Sequence, residues 1–220
     1  MIRWLLLFVL IAAAAWWFFT PETPSPSFPT SVAGAGETTT AAVTVQGCAL
    51  PALLAGGDGA AQSELPGAMS PFKVQGGALK PLAGFSVAAR VLSRKEYGSG
   101  READFSPLDL ALGWGRMRED TVLSDLDITQ SGRWYRYQWS GHPPIPPDEI
   151  VRSSANMHMI PSNNAIADAL DAVEEDDQIR IDGWLVQVEA TDGWRWRSSL
   201  RRDDSGAGAC EVVYVCAVTR

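Results

Sequence analysis

The sequence predicts an α+β domain that is rich in β-strands and has one clear helix, behind an N-terminal transmembrane helix. Three observations support this fold class. Residues 4–19 form an unbroken apolar run. Several short segments after residue 72 alternate apolar and polar residues, as half-buried strands do. Residues 162–173 repeat their apolar positions at helical spacing.

The composition divides the chain into three parts. Residues 1–20 are the predicted transmembrane helix. Residues 21–71 are rich in Pro at first and then in Ala, Gly and Thr, which predicts a linker with too little large apolar surface to fold. Residues 72–220 contain all 4 Tyr and six of the 9 Trp, so we expect them to form one exported globular domain.

The apolar run of residues 4–19 favours an uncleaved signal-anchor. It approaches the ~20 residues of a typical span, and Trp4 and Trp16 lie near its ends, where aromatic residues mark membrane interfaces. Arg3 favours a cytoplasmic N-terminus, which predicts a single-pass inner-membrane protein with its domain in the periplasm or outside the cell. The alternative is a signal peptide cleaved near Ala12–Ala15, although the following residues stay apolar.

The first predicted elements of the domain are two strands and the helix. Residues 85–92 alternate apolar with small or polar residues, and residues 133–139 place two tyrosines and a tryptophan on one face. Pro161 and Ser162 precede the helical segment, and Ser162 is a suitable N-cap. We therefore expect a helix over residues 162–173.

The second half of the domain is predicted to be a bent set of strands. The apolar positions of residues 179–189 change phase at Gly183, which indicates a bulge that bends the strand around a small barrel, of the oligonucleotide-binding type or a similar one. A turn at residues 191–193 leads into a strand over residues 194–200, and residues 211–218 form the last strand.

Charge and motifs exclude several classes of function. A net charge of −8 and a pI near 4.8 argue against a nucleic-acid-binding protein, which needs a basic face. With 3 Cys and 2 His and no CxxC or HExxH pair, we expect no metal site. No GxGxxG or P-loop motif is present, so no cofactor is expected.

The cysteines allow at most one disulfide in the exported part. Cys210 and Cys216 lie six residues apart on one predicted strand, roughly 20 Å at ~3.3 Å per residue, which is too far for a bond between them. Either Cys48 pairs with one of them and ties the linker to the domain, or all three are free thiols.

Residues 101–115 (READFSPLDLALGWG) are the first candidate site. Ser106 is expected to cap a short helix that begins at Pro107, with Asp109 in its first turn. Trp114 lies between two glycines, so its ring is either the wall of a binding site or part of the core.

Residues 152–161 (RSSANMHMIP) contain the candidate catalytic group. In an extended segment Asn156 and His158 share one face, so His158 is a candidate general base that Asn156 helps to orient. Asp104 or Asp109 would supply the carboxylate. No GxSxG elbow is present, and the alternative is a hydrogen-bonded structural histidine.

A third set of candidates combines tryptophan with arginine, as recognition surfaces often do. The candidate ligand-binding residues, together with Trp114, are Trp134, Trp194, Arg195 and Trp196. Such a surface suits a glycan or an envelope protein. In the alternative, the aromatic rings lie inside the barrel and the arginines face solvent.

Four segments together resemble a family of small bacterial proteins of unknown function that are membrane-anchored or exported. The segments are READFSPLDLALGWG, ITQSGRWY, PIPPDEIVRSSANMHMIP and DGWRWRSSLRRDDSGAGACEVVYV. The resemblance covers about residues 72–216 and implies a location in the envelope but no particular activity. It also implies that the motifs of the family include Asp104, Ser106, Asp109, Trp114, Asn156, His158, Trp194 and Trp196.

These observations predict an envelope protein that is anchored by residues 4–19 and has an outer binding or interaction module. The expected partner is an envelope protein or a glycan. The alternative is an envelope hydrolase that uses His158 as its general base.

Overall fold

The computed structural model describes residues 43–44, 48–56, 59–204, 206 and 208–220. These residues form a β-rich domain with few helices, which confirms the β-rich fold class. The predicted anchor at residues 4–19 lies outside the described residues. Within the described part of the chain, no helix is both long and apolar enough to span a membrane.

The strands follow one another with short helices between them. The strands are β1 (Val43–Thr44), β2 (Gly59–Ser63), β3 (Phe72–Val74), β4 (Gly77–Glu96), β5 (Leu108–Gly113), β6 (Leu126–Ser131), β7 (Trp134–Trp139), β8 (Ser154–Pro161), β9 (Gln178–Ala190), β10 (Arg195–Arg197) and β11 (Glu211–Thr219). The helices are the 3-10 helix η1 (Gly115–Arg118) and the α-helices α1 (Asp120–Leu123), α2 (Pro147–Arg152) and α3 (Asn164–Asp171).

The main sheet contains a set of strands that we call the strand ring: β4, β5, β8, β11 and β9. β4 pairs antiparallel with β5, β5 antiparallel with β8, and β8 parallel with β11. β11 then pairs antiparallel with β9, and β9 antiparallel with β4, so the pairing returns to its starting strand. One face of every ring strand contributes to a single apolar cluster, which α3 also contacts through Ile166 and Leu170.

The outer face of the ring is covered as well. A second apolar cluster lies there, and its members include Leu79, Trp184 and Tyr214. β6 and β7 form a separate two-stranded sheet, the β6–β7 hairpin, whose half-buried residues pack toward α1 and α2. Because both faces are covered, the ring strands are apolar on both sides, and simple alternation is lost.

The predicted change of phase at Gly183 is wrong. The side chains of β9 point to opposite faces in regular turn along its whole length: Ile181 and Leu185 belong to the inner cluster, whereas Trp184 and Val186 belong to the outer one. The register shifts lie in the partner strands instead, between Pro81 and Ala83 and between Val215 and Ala217. Gly183 has a different role. A Cβ atom there would overlap the carbonyl oxygen of Tyr214, so glycine permits β9 and β11 to approach.

Two local predictions for the helices are also corrected. The expected helix at Pro107 is absent, since residues 108–113 form the fully buried strand β5. Ser106 instead ends the preceding turn, where its backbone N–H donates to the Glu102 carbonyl, and its Oγ donates forward to the carbonyl of Leu108. The helix predicted over residues 162–173 is present as α3, but its N-cap is Asn163, whose Oδ1 accepts from the Ile166 N–H at 3.1 Å.

The predicted linker, residues 21–71, is wrong in its second half. β2 pairs antiparallel with β4, and a disulfide joins Cys48 to Cys216, so the folded domain begins before residue 72. This segment packs closely on β4. A side chain at Gly84 of β4 would overlap Ser63 and Pro51 of the segment, so close packing replaces the large apolar surface that the segment lacks.

Candidate functional site

The candidate catalytic residues meet on the outer face of the ring, where β5 pairs with β8. Asp109 is the register partner of His158, and Asn156 precedes His158 by two residues on the same face. His158 Nδ1 lies 2.8 Å from Asp109 Oδ1, and Asn156 Nδ2 lies 3.4 Å from Asp109 Oδ2. The spacing of residues 154–158 therefore predicted correctly that these side chains share one face.

Asp104 does not join this group. It is exposed, in the turn before β5, and within the described residues no hydrogen bond or ion pair links it to Asp109, Asn156 or His158. Of the two carboxylates considered for a role beside His158, Asp109 is the one that contacts it.

Arg133 is the main partner of Asp109. Its Nη1 lies 2.6 Å from Asp109 Oδ1, and its Nη2 donates to the Ser106 carbonyl at 2.9 Å. The guanidinium also lies 3.8 Å from the ring centroid of Tyr97. Burial raises the pKa of Tyr97, whose hydroxyl accepts from the Arg133 N–H. We call this group, Asp109 with Arg133, Asn156 and His158, the Asp109 network.

The tip of the β6–β7 hairpin places Arg133 in this position. Ser131 pairs with Trp134, so the turn has two residues, and both Gly132 and Arg133 have positive φ values, 58° and 69°. This is the pattern of a type I′ turn, whose twist matches that of the flanking strands. The turn projects the arginine over the ring, where it reaches a carboxylate that is fully buried.

Trp196 on β10 and Trp194 just before this strand cover the Asp109 network. The ring centroids of Trp196 and His158 are 4.6 Å apart, and those of Trp194 and Trp196 are 6.0 Å apart. Both tryptophans are half-buried against the outer apolar cluster, and Arg195 between them is exposed. His158 is only 3% exposed beneath this cover. Trp194 and Trp196 therefore pack against the outer face of the ring, and not inside the barrel as the alternative interpretation expected.

A cavity of about 120 Å³ lies beside this network, between the hairpin and the start of β11. Asn156 belongs to the Asp109 network and also lines the cavity. Asp109 and His158 are not among the described residues that line the cavity. Trp114 and Trp134, two of the candidate ligand-binding residues, line it with Tyr135 and Tyr137. The remaining lining residues are Val151, Ser154, Ala155, Arg202, Asp204, Gly206, Ala209, Cys210 and Glu211.

The two tryptophans of the cavity differ in exposure. Trp114 is 7% exposed and belongs to the inner apolar cluster, so its ring is both core and cavity wall. Trp134 is 39% exposed and stands on the hairpin at the edge of the cavity. An exposed tryptophan beside a cavity offers a flat apolar surface to a ligand, and no packing contacts of the ring have to be broken first.

The charged residues of the cavity were not singled out by the sequence. Glu211 is 1% exposed, and its Oε1 lies 2.5 Å from Arg202 Nη1. Burial raises the pKa of Glu211 to about 8, although the Arg202 charge acts in the opposite direction. One signal was available: Glu211 is a charged residue at the start of an apolar run (EVVYVCAV), a position that needs a partner if it is buried.

Cys210 is the free cysteine and also lines the cavity. Burial, together with the nearby Glu211 and Asp109 charges, raises the pKa of its thiol to about 12. At neutral pH it is therefore a neutral thiol, which is a weak nucleophile. In the described part of the chain, no cluster of three or more His, Cys, Asp or Glu side chains is arranged to hold a metal ion.

Comparison of this chain with protein-family models, with curated proteins and with solved structures finds no match.

Proposed function

We propose that this chain is a membrane-anchored envelope protein whose outer domain is a binding module, with the aromatic cavity as its binding site. The observation that carries the proposal is the cavity itself. It combines four aromatic rings with buried polar groups, and one of the rings, Trp134, is already exposed. Pockets that bind small molecules have this composition: mostly apolar walls with a few placed polar groups.

The strand ring supports the interpretation of the domain as a small barrel of the oligonucleotide-binding type. The order β4-β5-β8-β11-β9, with β8 and β11 parallel and α3 between β8 and β9 in the chain, suits a partly closed Greek-key barrel. Such barrels bind oligosaccharides as well as oligonucleotides. The net charge of −8 disfavours a nucleic-acid ligand.

The location in the envelope rests on two features. Residues 4–19 are apolar enough for an anchor, and a disulfide between Cys48 and Cys216 suits an oxidising compartment outside the cytoplasm. The partner expected there is a glycan or an envelope protein.

The alternative, an envelope hydrolase with His158 as general base, is supported by the contact between His158 and Asp109. Three features favour a structural role for this pair instead. Asp109 also holds Arg133 and Asn156. His158 is covered by Trp196. The thiol of Cys210, near the network, is not activated.

The binding role is tested by capture from bacterial envelope extract. The full chain is purified in detergent and immobilised, and the captured proteins and glycans are identified by mass spectrometry. We expect Trp134→Ala to lose a specific partner. Gln138→Ala is the matched control, since Gln138 is exposed on the same strand but does not line the cavity. Equal capture by both variants, or no capture by the folded wild type, contradicts the proposal.

A further inference from the structure

We propose that the ligand of the cavity is a neutral sugar residue, recognised by Glu211 and Arg202 together with the aromatic walls. This inference rests on the proposed binding role and specifies the chemical class of the ligand.

Three polar atoms of two cavity residues lack hydrogen-bond partners. Glu211 Oε2, Arg202 Nε and Arg202 Nη1 are shielded from solvent, and none makes a hydrogen bond within the described residues, although Nη1 lies 2.5 Å from Glu211 Oε1. Buried polar atoms are nearly always satisfied, so an unpaired donor and an unpaired acceptor in one cavity indicate a missing partner. That partner must both donate and accept hydrogen bonds.

Hydroxyl groups meet this requirement. A hydroxyl donates to a carboxylate oxygen and also accepts from an N–H, and it pairs with a carboxyl group in either protonation state. Two neighbouring hydroxyls on one ring can therefore satisfy Glu211 Oε2 and Arg202 Nε together. Hydrogen bonds to charged groups in a shielded site are also stronger than those made in water.

Charged ligands fit the cavity less well. An ammonium group only donates, so it would leave Arg202 Nε unpaired and would be repelled by the guanidinium. An anion would meet the carboxylates of Glu211 and Asp204, which both line the cavity. Arg202 is the one cation among the described lining residues, and its Nη1 already lies 2.5 Å from Glu211 Oε1, so an anion would have to compete with Glu211 for it.

The aromatic walls and the size of the cavity also suit one sugar ring. A sugar ring has apolar C–H faces, which can pack on the flat surfaces of Trp114 and Trp134. Its hydroxyls project from the edge of the ring, where they can reach polar groups. The volume of about 120 Å³ is below the ~300–1,000 Å³ of pockets that enclose drug-sized ligands. The cavity therefore suits one ring at the end of a glycan.

The test is isothermal titration calorimetry of the full chain in detergent with a defined panel. The panel contains cellobiose, lactose, mannobiose and diacetylchitobiose, with choline chloride as the cation. We expect at least one disaccharide to bind and choline not to bind. Glu211→Gln keeps one oxygen, which Arg202 Nη1 holds at the Oε1 position, and puts an NH2 group that only donates in place of the free oxygen. It should therefore weaken that sugar's affinity about tenfold or more.

Trp134→Ala provides a second variant because Trp134 is partly exposed and its loss should not unfold the domain. Trp134→Ala should also weaken the affinity for the sugar about tenfold, since it removes one stacking surface. Gln138→Ala should bind the sugar as the wild type does. Thermal unfolding of each variant verifies that it is folded.

The sugar proposal is overturned if no disaccharide of the panel binds, if choline binds instead, or if sugar affinity is unchanged in Trp134→Ala. Its failure is distinct from that of the binding role. If envelope capture depends on Trp134 but no sugar binds, the cavity binds a ligand of another class. If capture is also absent, both proposals fail.

Discussion

The position of the β6–β7 hairpin depends on one buried carboxylate. Asp109 is fully buried, and Arg133 at the hairpin tip is the cation that compensates its charge. Removing one partner of a buried ion pair leaves the other charge unpaired in a low-dielectric site, which costs far more than losing an exposed pair. The hairpin carries three of the four aromatic walls of the cavity, so this ion pair also shapes the proposed binding site.

Replacement of Arg133 should therefore destabilise the domain. Arg133→Asn tests this because asparagine tolerates the positive φ of the turn better than most residues do, so the loss reports the missing guanidinium. We expect the free energy of unfolding, measured by urea denaturation, to fall by about 3 kcal/mol. The control Arg136→Asn, on the exposed face of β7, should change it by less than about 0.5 kcal/mol. Similar losses in both variants would contradict a special role for Arg133.

Glu211 should make stability depend on pH. Its pKa is raised to about 8 in the fold from an ordinary value of 4.5, so its neutral form is favoured by folding. The stabilisation is complete below pH 4.5 and is lost as the pH rises toward 8. Because one pKa unit corresponds to about 1.4 kcal/mol, the wild type should lose roughly 3–5 kcal/mol over this range relative to Glu211→Gln.

Urea denaturation of the wild type and of Glu211→Gln at pH 5, 6.5 and 8 measures this difference. The variant side chain stays neutral, so its free energy of unfolding should lack the contribution of this residue. If the two proteins change in parallel with pH, the buried carboxyl of Glu211 does not titrate in this range.

At the scale of elements, the sequence predicted the strands that keep a simple pattern. β7, β9 and β11 lie close to their predicted bounds, because each has a clear apolar run or alternation. β5 was mistaken for a helix start, since it is buried on both faces and lacks alternation. β2 was taken for linker, because its Ala and Gly residues gain stability only by packing against the rest of the domain.

The candidate site was predictable only where its residues are close in sequence. Asn156 and His158 lie two apart on β8, so their common face followed from strand geometry. The contact of Arg133 with Asp109 depends on a hairpin folding over the ring, which no local pattern reports. The pairing of Arg202 with Glu211 depends in the same way on how the segment before β11 returns to the sheet.

The close approach of β9 and β11 at Gly183 predicts that a side chain at this position destabilises the domain. Gly183→Ala places a methyl group against the Tyr214 carbonyl and should force the two strands apart. Overpacking of this kind typically costs about 1–3 kcal/mol, and more where backbone must move. Gly59→Ala is the control, since a Cβ there has no neighbour within 4 Å. Equal unfolding midpoints for the two variants in thermal denaturation would contradict the close approach.

At the scale of the whole molecule, the disulfide joins the N-terminal segment to the last strand. Cys48 and Cys216 are separated by 168 residues, so their bond encloses nearly all of the described domain. Trp184 strengthens this attachment, because its Nε1 donates to the Ala49 carbonyl at 2.8 Å. If the anchor proposal holds, the disulfide also fixes where the tether from the membrane joins the domain.

Loss of the disulfide should lower the stability of the whole domain. A bond that closes so long a loop restricts the unfolded chain strongly, and its removal should cost about 2–5 kcal/mol. We expect this loss in Cys48→Ala and a much smaller one in Cys210→Ala, whose thiol is free. Alkylation of the unfolded, unreduced protein should modify one cysteine, Cys210. Three modified cysteines would show that the bond does not form.

Site-specific photocrosslinking in living bacteria tests the binding role of the cavity most directly. A photoreactive phenylalanine analogue replaces Trp134 in one strain and Gln138, the non-lining neighbour on β7, in another. After illumination, we expect a discrete envelope adduct, glycan or protein, from position 134 and none from position 138. The same adducts from both positions, or none from either in a folded protein, would contradict the binding role of the cavity.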